Sequence, residues 1–122
     1  MNKKNIILAS LSHFFCDINT GSLPAILPYL ITAHGLSYSA ASGLMLANSS
    51  LSSIIQPLFG LLSDRNPKMY FMPFGICIAA LGMASLGFLE QYVPIFLAVG
   101  LSGIGAALFH PAAMRFTNSI SG

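Results

Sequence analysis

The stretch SHFFCDINTGSLPAILPYL, residues 12–30, combines a long apolar run with polar side chains and two prolines. An ionisable residue in such a run is costly at membrane depth unless it faces protein or water, so it predicts a functional position. Asp17 lies near the middle of the run, and His13 precedes it by four residues, which places both on one face of a helix. Asp17 and His13 are therefore candidates for proton coupling. For Asp17, the alternative is a bond to a neighbouring helix that only holds a bundle together.

Pro24 and Pro28 follow on roughly the same helix face. Each proline removes a backbone donor and bends a helix. Discontinuous helices of this kind flank binding sites in many transporters. A kink that only serves packing is the alternative, and the sequence leaves both open.

The composition of the whole chain indicates a protein of the lipid bilayer. Of its 122 residues, 55% are hydrophobic and only 7% are charged, whereas soluble domains carry roughly a quarter charged residues. The mean hydropathy is +0.77. A net charge of only +2 does not indicate a nucleic-acid-binding protein. Cys16 and Cys77 lie in apolar runs and are expected to be free thiols, and we expect no metal or cofactor.

Four apolar segments are long enough to cross the hydrocarbon core as helices. They cover about residues 5–33, 39–62, 69–89 and 93–116. Short connections predict antiparallel neighbours. This alternation puts all five lysine and arginine residues on one side, and the positive-inside rule places that side, with both termini, in the cytoplasm. The predicted fold class is an all-α, multi-pass membrane protein with four transmembrane helices.

Polar residues in the second and fourth segments mark either a substrate path or helix contacts. Asn48 and Gln56 belong to a stripe that recurs every four residues along one helix face. Such a stripe lines a wet cavity or bonds neighbouring helices. His110, beside Pro111, and Arg115 lie near the cytoplasmic end of the fourth segment and are candidates for substrate contact or charge relay. For Arg115 the alternatives are a snorkelling anchor or a partner for Asp17 or a bound anion.

Enzymatic motifs are not found in the sequence. There is no His-Glu metal-binding helix motif and no serine nucleophile elbow. The run GLSGIG, residues 100–105, superficially matches a nucleotide loop, but no strand precedes it. Its glycines are expected to let helices touch, and the protein is not expected to be an enzyme.

Residues 60–65, GLLSDR, resemble the Gly-x-x-x-Asp-Arg signature in the first cytoplasmic loop of major facilitator superfamily transporters. In this loop motif Gly60 is expected to permit tight packing. Asp64 can cap a helix end or pair with a cation. Arg65 is expected to anchor at the lipid headgroups.

A narrower resemblance extends over nearly the whole chain. The segments 12–30, 56–65 and 100–115 resemble, in order, the opening of the fosmidomycin-resistance-like branch of that superfamily. Membership of this branch implies a proton-driven efflux protein of the bacterial inner membrane, with drugs or small metabolites as substrates. Pro67 and Met69 depart from the usual loop pattern of a second glycine and a second base. Ala112 stands where the branch often carries an acid, which removes one charge partner for Arg115.

The resemblance also implies a larger protein. Major facilitator transporters have twelve helices in two six-helix halves, with the site between the halves. Residues 1–122 would be a partial N-terminal domain, and the missing C-terminal helices would be its partners. Helices one and four of that half line the cavity, and they carry Asp17, His13, His110 and Arg115 here. The alternatives are a complete four-helix dimer of the small-multidrug-resistance type and a truncated fragment that does not transport.

Overall fold

The computed structural model describes residues 3–65 and 70–121, and it is almost entirely helical there. The elements are α1 (Lys3–His34), α2 (Tyr38–Arg65), α3 (Phe71–Ser85) with a 3-10 turn (Leu86–Phe88), and α4 (Tyr92–Ser121). Helices α1, α2 and α4 run beyond the predicted apolar segments at both ends, because polar residues continue a helix outside the part that needs lipid. Residue 69, where the third segment was predicted to start, lies outside the described residues.

The four helices alternate in direction. The pairs Tyr92–Ala40, Asn48–Val99 and Arg115–Asp64 succeed one another along α2 and α4, so these two helices are parallel. Helices α1 and α3 run the opposite way. Lysine or arginine residues consequently stand at the start of α1 and near the ends of α2 and α4. We call this the basic end of the bundle, defined by Lys3, Lys4, Arg65 and Arg115.

Three helices of the described chain are long and apolar enough to cross a membrane: α2, the run from Phe71 to Phe88, and α4. Helix α1 has the length, with 32 residues. Its polar residues between Ser12 and Thr20 lower its hydropathy, and it is not among the three. The crossing of the membrane by α1 therefore stays a prediction.

Helix α4 is the centre of the bundle and packs most extensively on α2 and α3. Two apolar clusters surround it. One, toward the end opposite the basic end, includes Leu23, Leu44 and Val99. The other, toward the basic end, includes Cys16, Met72 and Phe109. Both cysteines are free thiols, as predicted; Cys16 is buried and Cys77 is exposed.

The glycines of the run 100–105 divide between two neighbours of α4. A Cβ atom at Gly103 would lie 2.5 Å from the backbone oxygen of Asn48 on α2, and one at Gly105 would contact the backbone nitrogen of Ala79 on α3. The backbones meet at these points, so no larger residue fits. The expectation that these glycines let helices touch agrees with this geometry.

The buried side chains of helix α1 form a narrow seam. Its buried residues are Ala9, Cys16, Leu23 and Leu30, each seven positions after the last. A seven-residue repeat keeps one line of side chains against a neighbouring helix. Helices α2 and α4, in contrast, share several side-chain hydrogen bonds along their length.

Candidate functional site

Two histidines from different helices meet on one buried aromatic ring. The His13 ring on α1 stands edge to face with Phe109, with ring centroids 5.2 Å apart and planes at 74°. The His110 ring stands 5.6 Å from the same ring, at 70°. Phe109 is fully buried, and both histidines are half-buried. The two helices that the resemblance assigns to the cavity are thus joined near their basic ends through Phe109.

Asp17 lies at the rim of this cluster. It is exposed, it sits near the middle of α1, and it forms no hydrogen bond or ion pair with the described chain. His13 is one turn away, and His110 lies within electrostatic range of both His13 and Asp17. Three groups that can carry protons therefore lie within electrostatic range of one another, and the Asp17 carboxylate is the exposed one. His13 also contacts the backbone oxygen of Ala9 through Nδ1, at 3.2 Å.

Arg115 is not joined to Asp17. Its Nη1 donates to the backbone oxygen of Ser63 at 2.6 Å and to Oδ1 of Asp64 at 3.2 Å. Ser63 lies in the last turn of α2, where backbone carbonyls lack partners within the helix. Arg115 therefore caps α2 from α4. Asp64 supplies the negative charge that an acidic residue at position 112, where this chain has alanine, does not provide. Ala112 is buried in the apolar cluster around Phe109.

The polar stripe of α2 runs along the contact with α4. Asn48 donates to the backbone oxygen of Val99 at 3.0 Å, and Gly60 lies near Pro111. These contacts favour the helix-bonding role of Asn48 over substrate contact. Gln56 is half-buried and has no hydrogen-bond partner among the described residues, and its contact with substrate stays a prediction.

The loop motif is placed only in part. A Cβ atom at Gly60 would lie 3.9 Å from the Cβ atom of Pro111, which is an ordinary van der Waals distance. The described neighbours of Gly60 therefore leave room for a larger residue. Asp64 pairs with a cation, Arg115. Arg65 is the exposed last residue of α2. Pro67 and Lys68 lie outside the described residues.

Sequence reasoning missed Phe109 and the Asp64–Arg115 pair. Phe109 has the character of any apolar core residue, and only its position beside His110 could have drawn notice. The ion pair depends on the register of α2 against α4, which the periodicity of a single helix does not encode. No group of three or more His, Cys, Asp or Glu in the described ranges is placed to hold a metal ion.

Comparison with known proteins identifies the relatives of this chain. It is 27% identical over 117 residues to an uncharacterized MFS-type transporter, YfnC, of Bacillus subtilis (strain 168), covering 96% of this chain and 29% of that protein. It is 30% identical over 113 residues to the fosmidomycin resistance protein of Escherichia coli (strain K12), covering 93% of this chain and 28% of that protein. The chain thus spans less than a third of the length of these curated relatives. No solved structure gives a significant match.

The family model of the Major Facilitator Superfamily matches residues 9–122, which is nearly the whole chain. The all-helical bundle, its alternating helices and its three apolar spans agree with that match. The chain belongs to the Major Facilitator Superfamily, the group of transporters that its sequence resembles.

Proposed function

We propose that this chain forms the first part of a secondary active, proton-coupled exporter of small molecules, and that Asp17 carries the coupling proton. The observation behind the proposal is that Asp17 stands exposed at the middle of α1, unpaired in the described chain, one turn from His13. A carboxylate at that depth is costly unless water or substrate reaches it. A similar protein is named a fosmidomycin resistance protein, which makes fosmidomycin the first substrate to test.

In this mechanism Asp17 accepts a proton from the outside and releases it to the cytoplasm as substrate leaves. His13 tunes the affinity of Asp17 for the proton, because an imidazolium one turn away stabilises the carboxylate. His110 and Gln56 contact substrate on the cavity side. Further helices supply the opposing wall of the cavity, in keeping with the length of the relatives, and the assembly lies in the inner membrane.

The test uses the protein encoded by the complete reading frame that carries this sequence, in everted membrane vesicles. A pH-sensitive dye reports proton movement when fosmidomycin is added. We expect Asp17→Asn to abolish the substrate-driven signal, since an amide cannot take up the proton. Asp17→Glu keeps the carboxylate and should retain part of the signal.

Full substrate-driven proton movement in Asp17→Asn would remove Asp17 from the mechanism. Transport by residues 1–122 alone, with cross-linking as a dimer, would favour the small-multidrug-resistance arrangement. An inert 122-residue chain combined with an active longer protein would identify the chain as a part that does not transport alone.

A further inference from the structure

One flank of α1 carries Asp17 and is left open along its length. Gly21, Pro24 and Pro28 follow Asp17 at helical spacings, and all four residues are exposed. A Cβ atom at Gly21 would meet nothing within 4 Å. No described part of the chain covers this flank, whereas the seam through Cys16 and Leu23 is fully packed.

The two prolines leave backbone carbonyls on this flank without their usual donors. Both prolines lie inside the continuous helix α1. Pro24 has no N–H for the carbonyl of Thr20, and Pro28 has none for the carbonyl of Pro24. No side chain of the described residues donates to either oxygen. The Thr20 hydroxyl, the group closest at hand, donates to the carbonyl of Cys16 at 3.1 Å instead.

These acceptors form a row that leads away from the basic end. The Asp17 carboxylate, the Thr20 carbonyl and the Pro24 carbonyl follow one another three and four residues apart. At a rise of about 1.5 Å per residue, the Thr20 and Pro24 carbonyl oxygens are roughly 6 Å apart along the axis. One water molecule bridges that gap, because two hydrogen bonds of about 2.8 Å span a similar distance. The Asp17 side chain tilts toward the start of the helix while the carbonyls point toward its end, so a further water is needed between the carboxylate and the Thr20 oxygen.

Energetics require that something donates to these oxygens. A backbone carbonyl left without a partner in hydrocarbon costs several kcal/mol, and a carboxylate costs more. An apolar neighbour would leave that cost in place, and lipid chains supply no donor. Water supplies two donors per molecule and fits the spacing of the row.

We propose that the flank formed by Asp17, Thr20, Gly21, Pro24 and Pro28 holds a file of water molecules that delivers the coupling proton to Asp17 from the end opposite the basic end. This inference rests on the proposed function. A hydronium ion at the outer mouth gives a proton to the first water, each water passes one of its own protons on, and the last proton binds a carboxylate oxygen of Asp17. One water is left at the mouth and one neutral carboxyl group at Asp17, so charge and atoms balance.

The water file is tested first by thiol labelling in sealed, right-side-out vesicles, whose outer face is the face opposite the basic end. The exposed Cys77 is replaced by serine, and the buried Cys16 is kept. Cysteine is placed at Gly21, or at Ser22 as the matched control. Ser22 lies one residue away at nearly the same depth but about 100° around the helix, and it is half-buried. The probe is a cationic, membrane-impermeant methanethiosulfonate added from outside.

We expect Gly21→Cys to react at least roughly ten times faster than Ser22→Cys, because the reactive thiolate forms only where water reaches it. No reaction at Gly21→Cys would overturn the file and would indicate that a helix or lipid covers this flank. Equal rates at the two positions would also overturn it, because the outer half of α1 would then be exposed to water on every face.

Proton delivery is tested by returning the missing donors. The double variant Pro24→Ala, Pro28→Ala supplies a backbone N–H to the carbonyl oxygen of residue 20 and another to that of residue 24. Alanine also favours the helix. We expect substrate-driven proton movement to slow several-fold, with less labelling of Gly21→Cys. Pro57→Ala, at an exposed proline inside α2, is the control and should leave both signals unchanged.

The two proposals fail separately. Labelling of Gly21→Cys does not depend on transport, so it reads the file whatever Asp17→Asn does to coupling. Unchanged proton movement in the proline variant, with Asp17→Asn inactive, would overturn delivery by this route and leave Asp17 as the proton carrier.

Discussion

At the scale of single residues, the bundle depends on glycines where helix backbones meet. A Cβ atom at Gly105 would contact the backbone nitrogen of Ala79 and lie 2.6 Å from the carbonyl oxygen of Gly75. Backbone atoms cannot rotate aside, so α3 and α4 must separate. We expect Gly105→Ala to lower the free energy of unfolding by about 1–3 kcal/mol, the usual cost of overpacking, measured by thermal unfolding in detergent micelles.

Gly21→Ala is the matched control, because it is also helical but open. It should be neutral or should stabilise the helix by up to about 1 kcal/mol. Equal losses in the two variants would mean that α3 and α4 do not meet at Gly105 as described.

Residue types in the candidate site were predictable, and their neighbours were not. The depth of Asp17 and His13 follows from counting along one helix. The contact of His13 with Phe109 depends on how α1 is rotated and shifted against α4, and a seven-residue seam leaves several such registers open. The partner of Arg115 was missed for the same reason: the sequence suggested a snorkelling anchor, Asp17 or a bound anion, and only the register of α2 against α4 brings Asp64 to it.

At the scale of elements, α2 and α4 behave as one parallel pair tied at both ends. Tyr92 donates its hydroxyl to the carbonyl of Ala40 at one end, and Arg115 caps α2 at the basic end. The side chains of Arg115 and Asp64 are 39% and 77% exposed. An ion pair this exposed contributes at most about 1 kcal/mol, so the bond to the Ser63 carbonyl is the stronger tie.

Because the hydrogen bond to Ser63 is stronger than the ion pair, removing Arg115 should destabilise the protein more than neutralising Asp64. Arg115→Leu should lower the free energy of unfolding by about 1–3 kcal/mol, because the Ser63 carbonyl loses a charged donor. Asp64→Asn should cost less than about 1 kcal/mol, because only the screened charge is lost. Equal losses in denaturant titrations of the two variants would show that the ion pair, and not the cap, joins the helices.

At the scale of the whole molecule, the open question is whether α1 crosses the membrane beside the three more apolar spans. Helix α1 lies along α4 over most of its length, from the contact of His13 with Phe109 to the burial of Leu30 in the cluster around Val99. A helix that lies alongside α4 over this distance is expected to share its depth. Under the proposed function, the polar residues that lower its hydropathy border a cavity and not lipid, which makes them tolerable at that depth.

Reporter fusions test this placement. With lysine or arginine at the basic end and Glu90 at the other, the positive-inside rule sends the basic end to the cytoplasm. Alkaline phosphatase fused after Leu36 should be active, since that connection is predicted to face the periplasm, and a fusion after Ser119 should be inactive. Green fluorescent protein at the same two positions should give the reverse pattern. An inactive phosphatase after Leu36 would contradict either the crossing of α1 or the orientation, and active phosphatase after Ser119 would single out the orientation. The same pattern bears on function, because a proton can move from outside to inside through Asp17 only if α1 joins the two compartments.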